Sequence, residues 1–177
     1  MDATGLQGYS NLFVLDGSIS QQSTTVNGAM AQQLFQFDLI QIIERSQGAA
    51  IWQGAATLAQ KIVVAKNILT NVLVRWHGYA SGPGGNKATV ARWPISGVYS
   101  AYDLANIFHT NGSITQLQIG SDVSSINSTL QNDGCLYYLT YANYASDGTT
   151  ASVINTDYVK IDLTFNNPIG GTNKIAI

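Results

Sequence analysis

Apolar and polar positions alternate with a period of two along most of this chain, the signal of half-buried β-strands. Over residues 68–79, Ile68, Thr70, Val72, Val74 and Trp76 alternate with Leu69, Asn71, Leu73, Arg75 and His77. Over 152–165, Val159, Ile161, Leu163 and Phe165 face inward, while Tyr158, Lys160, Asp162 and Thr164 face outward. Shorter runs read the same way. Leu12-Phe13-Val14-Leu15 ends at the turn pair Asp16-Gly17, the strand over 89–93 ends at Pro94, and Thr115, Leu117 and Ile119 alternate with Gln116 and Gln118. Over 136–144, Tyr137, Leu139 and Tyr141 share one face, and Tyr138, Thr140 and Tyr144 share the other.

Two segments are less clean. Over 34–43, Phe35, Phe37, Leu39 and Ile43 fit one face of a strand, with Ile40 and Ile42 turned the other way, and 44–48 closes it. Further on, Ala55, Leu58, Ala59 and Ile62 recur at helical spacing, but Ile62-Val63-Val64 is β-branched; a strand over 57–66 is the reading preferred. One helix is expected, over 101–108, opened by Ser100 with Asp103 three residues later and stopped by Asn111-Gly112. Loops fall at 81–86, at 146–150 and along the polar connection 120–134, which contains Asn132-Asp133-Gly134. About eight strands at regular spacing with one short helix give an all-β, antiparallel sandwich or barrel, with 1–177 as a single domain. Residues 1–33 form an N-terminal arm with a first strand, and 168–177 form a C-terminal arm.

Composition sharpens this picture. Charged residues make up 10% of the 177, and hydrophobic residues 45%; ordinary soluble domains carry roughly a quarter charged residues. Gln, Asn, Ser, Thr and Gly take the place of charge. Such a surface has little like-charge repulsion to hold copies apart, which suits a protein that sits against other protein. Five lysines and three arginines are scattered without a run or stripe, which argues against nucleic-acid binding through phosphates. No basic stretch followed by an apolar run opens the chain, and no segment is apolar enough to span a bilayer. The expected setting is therefore a cytoplasm, or something assembled there.

Candidate chemistry is sparse. Cys135 is single and reads as a small buried residue at the start of a strand. His77 and His109 are far apart, with His109 placed at the end of the expected helix near its last carbonyls. There is no zinc-ligand spacing, no calcium-loop spacing and no nucleophile elbow. The loop at 82–87 lacks a Walker ending, and Pro83 removes an amide. Asp38, Glu44, Asp103, Asp157 and Asp162 would need to meet in space to work as a hydrolase pair. No catalytic residue, cofactor, metal or small-molecule substrate is assigned. Aromatic residues offer a second reading, with Tyr137, Tyr141, Tyr144 or Trp52 as sugar-stacking platforms of a carbohydrate-binding sandwich or phage adhesin. The termini offer a third feature. Ile175-Ala176-Ile177 is an apolar end after a glycine pair, suited to docking on a sheet edge of this chain or a neighbour.

In size, low charge, Gln/Asn/Ser/Thr richness, strand number, single small helix and extended ends, the chain resembles the small single-β-barrel capsid proteins of tailless, membrane-containing icosahedral phages, especially those of thermophilic bacteria. The resemblance implies a single jelly roll standing upright in a virion shell assembled in the host cytoplasm. It implies as partners further copies of the chain, a second capsid protein and an underlying membrane. Ile175, Ala176, Ile177, Leu12, Phe13, Tyr141 and Tyr144 are the candidate interface residues.

Overall fold

The computed structural model describes residues 15–94, 107–166 and 172–176. They form two antiparallel sheets packed face to face, with short helices in the connections. The first sheet has the order β1-β8-β3-β6, where β1 is Ser20–Thr24, β8 is Ser152–Asn166, β3 is Leu69–Ser81 and β6 is Thr115–Asp122. A further strand, β9 (Thr172–Ala176), also pairs with β8. β1 takes residues 152–156 of β8 and β9 takes 162–166, so the two lie end to end along the edge of β8 that β3 leaves open. The second sheet has the order β2-β7-β4-β5, where β2 is Gln32–Asp38, β7 is Cys135–Ala142, β4 is Ala88–Arg92 and β5 is Phe108–His109. The pairs β1:β8, β2:β7, β3:β6 and β4:β5 are nested, all antiparallel.

The sandwich interior is built from the inward sets of the two longest strands. Val72, Val74 and Trp76 of β3 and Ile154, Ile161, Leu163 and Phe165 of β8 are buried. Across the gap lie Phe35, Val90, Leu136 and Tyr138 of the second sheet. Burial of each such side chain is worth about 1.5–3 kcal/mol. A polar bridge crosses this interior. Trp76 Nε1 donates to Thr156 Oγ1 at 2.7 Å, and the Thr156 hydroxyl donates to Gln33 Oε1 of the second sheet. Gln33 Nε2 in turn donates to the Ser20 carbonyl at 3.3 Å. Each of the bridge's side chains thus finds a partner, which avoids the desolvation penalty of an orphan.

Three helices depart from the expectations, two of them where strands were expected and one in an expected loop. The run at 34–43 is a strand only as far as Asp38, whose Oδ1 accepts the Gln41 N–H at 2.9 Å and caps α1 (Leu39–Gln47). Leu39 and Ile43 are four apart, a spacing that a strand face and a helix face both satisfy. The expected strand over 57–66 is instead α2 (Leu58–Ile68). Thr57 Oγ1 accepts the Gln60 N–H while Gln60 Oε1 accepts the Thr57 N–H, a reciprocal cap. A cap worth about 1 kcal/mol, with Ile62, Ala65 and Ile68 buried on one face, outweighs the few tenths that each β-branched residue costs a helix. The connection at 120–134 holds a third helix, α3 (Val123–Thr129), capped by Asp122. The helix expected over 101–108 lies outside the described residues as far as 106, and its last residue, Phe108, is in β5, opposite Thr89.

The register of β3 on β8 shifts between His77 and Gly78, leaving Asp157 as an extra residue on β8. Asp157 is buried, and its Oδ1 accepts the Gly17 N–H at 3.0 Å. Gly78 is required beside this bulge: a methyl group there would collide with the Asn155 carbonyl and the Trp76 ring. A Cβ at Gly120, on the outer face of β6, meets only Leu73 Cδ1 at 3.9 Å. Urea unfolding of two single variants tests this difference. Gly78→Ala is expected to lose about 2–3 kcal/mol through overpacking, while Gly120→Ala stays within about 0.5 kcal/mol of the parent. Equal losses would contradict the packing described.

Candidate functional site

The outer faces of the two sheets differ in chemistry. The first carries Arg75, His77, Gln116, Gln118, Lys160 and Asp162, with Asp162 paired to Arg75 and to Lys160. The second carries the aromatic Tyr137, Tyr141 and Phe108 with Leu34, Ala91 and Leu139, and also Gln32, Gln36 and Thr89; its centre, at Thr89, Ala91 and Leu139, is buried, and exposure is confined to its ends and edges. Register places Leu34, Leu139 and Ala91 in one row, and Tyr141, Thr89 and Phe108 in the next. Trp93 continues the ladder one residue past β4: its N–H donates to the Tyr137 carbonyl at 2.9 Å. The Trp93 and Tyr137 side chains therefore emerge as neighbours on the same face. Leu34 is 48% exposed and Phe108 is 42% exposed, the latter beneath the Lys87 ammonium at 4.3 Å.

At the end of this face nearest the helices lies a cleft of about 500 Å³ lined by Leu34, Trp93, Gln131, Asn132, Asp133 and Tyr137. The 131–134 turn builds its polar wall. Gly134 N–H donates to the Gln131 carbonyl at 3.0 Å, and Asp133 Oδ1 accepts the Cys135 N–H at 2.9 Å. Tyr137 Oη donates to Asp133 Oδ2 at 2.6 Å, which fixes the phenol against the turn. Partial burial opposes ionisation of Asp133, but the Tyr137 hydroxyl and the Cys135 amide outweigh it and hold the carboxyl below its ordinary value. The same bond pushes the Tyr137 phenol up to about 12. At neutral pH the cleft therefore presents a carboxylate beside a neutral phenol.

A second hollow, of about 450 Å³, adjoins it at Asp133 and is lined by Asp38, Ile40, Gln41, Glu44, Arg45 and Leu58. Its carboxylates have structural duties. Asp38 caps α1, and Glu44 Oε2 accepts the Lys61 ammonium at 2.6 Å and the Trp52 indole N–H at 2.9 Å. Those two hydrogen bonds, Lys61 first, lower the Glu44 pKa. Among the described residues no group of three or more His, Cys, Asp or Glu side chains is placed to hold a metal ion, and no helix is long and apolar enough to cross a membrane.

The aromatic residues of the last two long strands and of the expected sugar platforms are dispersed. β7 and β8 follow one another in sequence but belong to different sheets, which separates Tyr158 from Tyr137 and Tyr141. Trp52 is buried, with its indole N–H on Glu44, and offers no stacking face; this corrects its reading as a sugar platform. Tyr144 sits in the loop after β7, against Gly82 and Gly84. Tyr141 is half-buried on the outer face of the second sheet. In β9, Ile175 pairs with Leu163 and Ala176 with Asp162 of the same chain. Leu12, Phe13 and Ile177 lie outside the described residues. Trp93, Leu34, Asn132 and Asp133 escaped the sequence reading as a group, because only the register of β4 on β7 brings Trp93 to Tyr137.

Cys135 opens β7 as a buried residue, and burial raises its thiol pKa, so it is neutral at physiological pH. His109 does not end a helix. It lies in β5, stacked on Trp76 with ring centroids 6.0 Å apart, and its carbonyl partner is Gly78, 3.0 Å from Nε2. Because Nδ1 accepts the Asn111 N–H at 3.2 Å, the proton must sit on Nε2, and the ring is neutral. Comparison of the chain with models of known protein families, with curated proteins and with solved structures found no match.

Burial lowers the pKa of both His77 and His109 from the ordinary 6.5. The unfolded chain then binds more protons than the folded one across that window. Stability contributed by the neutral rings is complete above pH 6.5 and is lost as pH falls through the lowered values. An NMR titration of the His109 ring should give a midpoint below 6.5, with the Asn111 amide perturbed in step. A midpoint at or above 6.5 would contradict the neutral-ring assignment.

Proposed function

We propose that this chain is a structural subunit of a protein shell, a capsid-type jelly roll that assembles with copies of itself within a virion. The nested pairing β1:β8, β2:β7, β3:β6 and β4:β5 carries the reading: sheets ordered 1-8-3-6 and 2-7-4-5 support an eight-stranded jelly roll, a fold shared by capsid proteins and lectins. Fold alone does not choose among those roles. The choice rests on the scarcity of charge, with 10% of residues charged, and on the aromatic residues of the second sheet's outer face. Apolar, aromatic patches low in charge are what the centres of protein–protein contacts are made of.

Copies meet through the end of that face bearing Tyr141 and Phe108. Since β9 pairs with its own β8, the terminal strand covers this chain's sheet edge, and the face carries the contact. A stable contact of this kind buries more than about 1,000 Å² in total. A second capsid protein and an underlying membrane complete the setting that the reading implies.

Electron microscopy and light scattering of the purified chain test it. Ordered multimers are expected, changing little between about 0.05 and 0.5 M salt because few ion pairs hold them. The double variant Tyr141→Lys/Phe108→Lys should remain folded and fall to lower mass. A stable monomer at every concentration would overturn the reading.

A further inference from the structure

The cleft at Trp93 and Tyr137 lies about four residues, roughly 13 Å, along β7 from Tyr141, so it stays clear of the contact assigned to copies. Its volume of about 500 Å³ falls within the usual range for small-ligand sites. The lining divides into two kinds of surface. Leu34, Trp93 and Tyr137 provide apolar and aromatic area, while Gln131, Asn132 and Asp133 provide planar groups with paired donors and acceptors. Among the described residues that line it there is no lysine, arginine or histidine.

We propose that this cleft is a binding subsite for a neutral saccharide, with a pyranose ring laid on the Trp93–Tyr137 surface. The apolar C–H face of a sugar ring matches an aromatic platform. Vicinal hydroxyls, each both donor and acceptor, match a carboxamide and a carboxylate placed at the rim. Asn132 is exposed and its side chain has no protein partner among the described residues, so it is available to a ligand. Asp133 is held in place by Tyr137 and the Cys135 amide, which orients it before any ligand arrives. A fixed carboxylate in a cleft whose described lining holds no cation disfavours phosphates, sulfates and acidic sugars, which favours neutral ligands. The sequence pointed to Tyr137, Tyr141, Tyr144 or Trp52 as stacking platforms; the cleft keeps Tyr137 and sets Trp93 beside it.

Saturation-transfer NMR and intrinsic tryptophan fluorescence test the proposal with glucose, galactose, N-acetylglucosamine and their β-linked dimers. Glucuronate and glucose 6-phosphate serve as anionic arms. Of the three tryptophans, Trp52 and Trp76 are buried, so a sugar-dependent fluorescence change should arise from Trp93 and vanish in Trp93→Phe. At about 10 mM sugar, well above the millimolar Kd of a single subsite, at least one neutral sugar should show transfer and the anionic sugars none. Asn132→Ala, which removes no internal bond, and Trp93→Ala should each weaken binding about tenfold. Absence of transfer from every neutral sugar, preference for an anionic sugar, or binding unchanged in both alanine variants would overturn the proposal. Each outcome is read independently of whether the chain assembles.

Discussion

The pairing of β3 with β8 is the constraint on which the sandwich depends. These are the longest strands, and they run side by side from Leu69 against Phe165 to Ser81 against Val153. Each has a neighbour on its other edge, so they form the middle of the first sheet. Their inward residues supply one wall of the interior, and Trp76 and Thr156 supply the start of the polar bridge to Gln33 in the second sheet. Magnitudes identify what holds this pair. A buried Val, Ile, Leu or Phe contributes about 1.5–3 kcal/mol, whereas a solvent-accessible ion pair on a sheet face such as the partly exposed Lys160–Asp162 contributes about 1 kcal/mol or less. The interior therefore stabilises the fold, and a charge-poor surface costs it little.

That same economy of charge links fold to function. Few ion pairs are needed to keep the sandwich folded, so the outer faces are free to specialise. One face became polar, with Arg75, His77 and Lys160, and the other aromatic, with Tyr137, Tyr141, Trp93 and Phe108. The bulge at Asp157 and the close approach of Gly78 to Trp76 allow β8 to change register midway without breaking the inward set. In the reading proposed, one end of the aromatic face meets copies of the chain and the other opens as a cleft.

Strand pattern was legible wherever one face is buried and the other wet, as in 72–76 and 161–165, because the period of two is then unbroken. It failed where two periods coincide. Leu39 and Ile43 satisfy both strand and helix, and the cap at Asp38 decides the outcome. At 57–66, side-chain branching pointed one way and the Thr57–Gln60 cap the other, and the cap prevailed. α3 carries too few apolar residues to announce itself; its evidence was Asp122 three residues before Ser125. The cleft was hidden for a different reason. Trp93 and Tyr137 are far apart in sequence, and only strand register makes them neighbours. Asn132 and Asp133 carried an obvious turn signal that masked their second use beside an aromatic ring.

Native-state hydrogen exchange tests the central claim most directly, since amides at the centre of the most stable unit exchange only through global unfolding. The slowest amides should cluster on the inward stretches of β3 and β8, around Val72, Val74, Trp76, Ile161 and Leu163, with β5 and β9 among the fastest. If the slowest set instead lay in β2 and β7 while β3 and β8 exchanged through local opening, the β3–β8 pair would not be the spine of this fold.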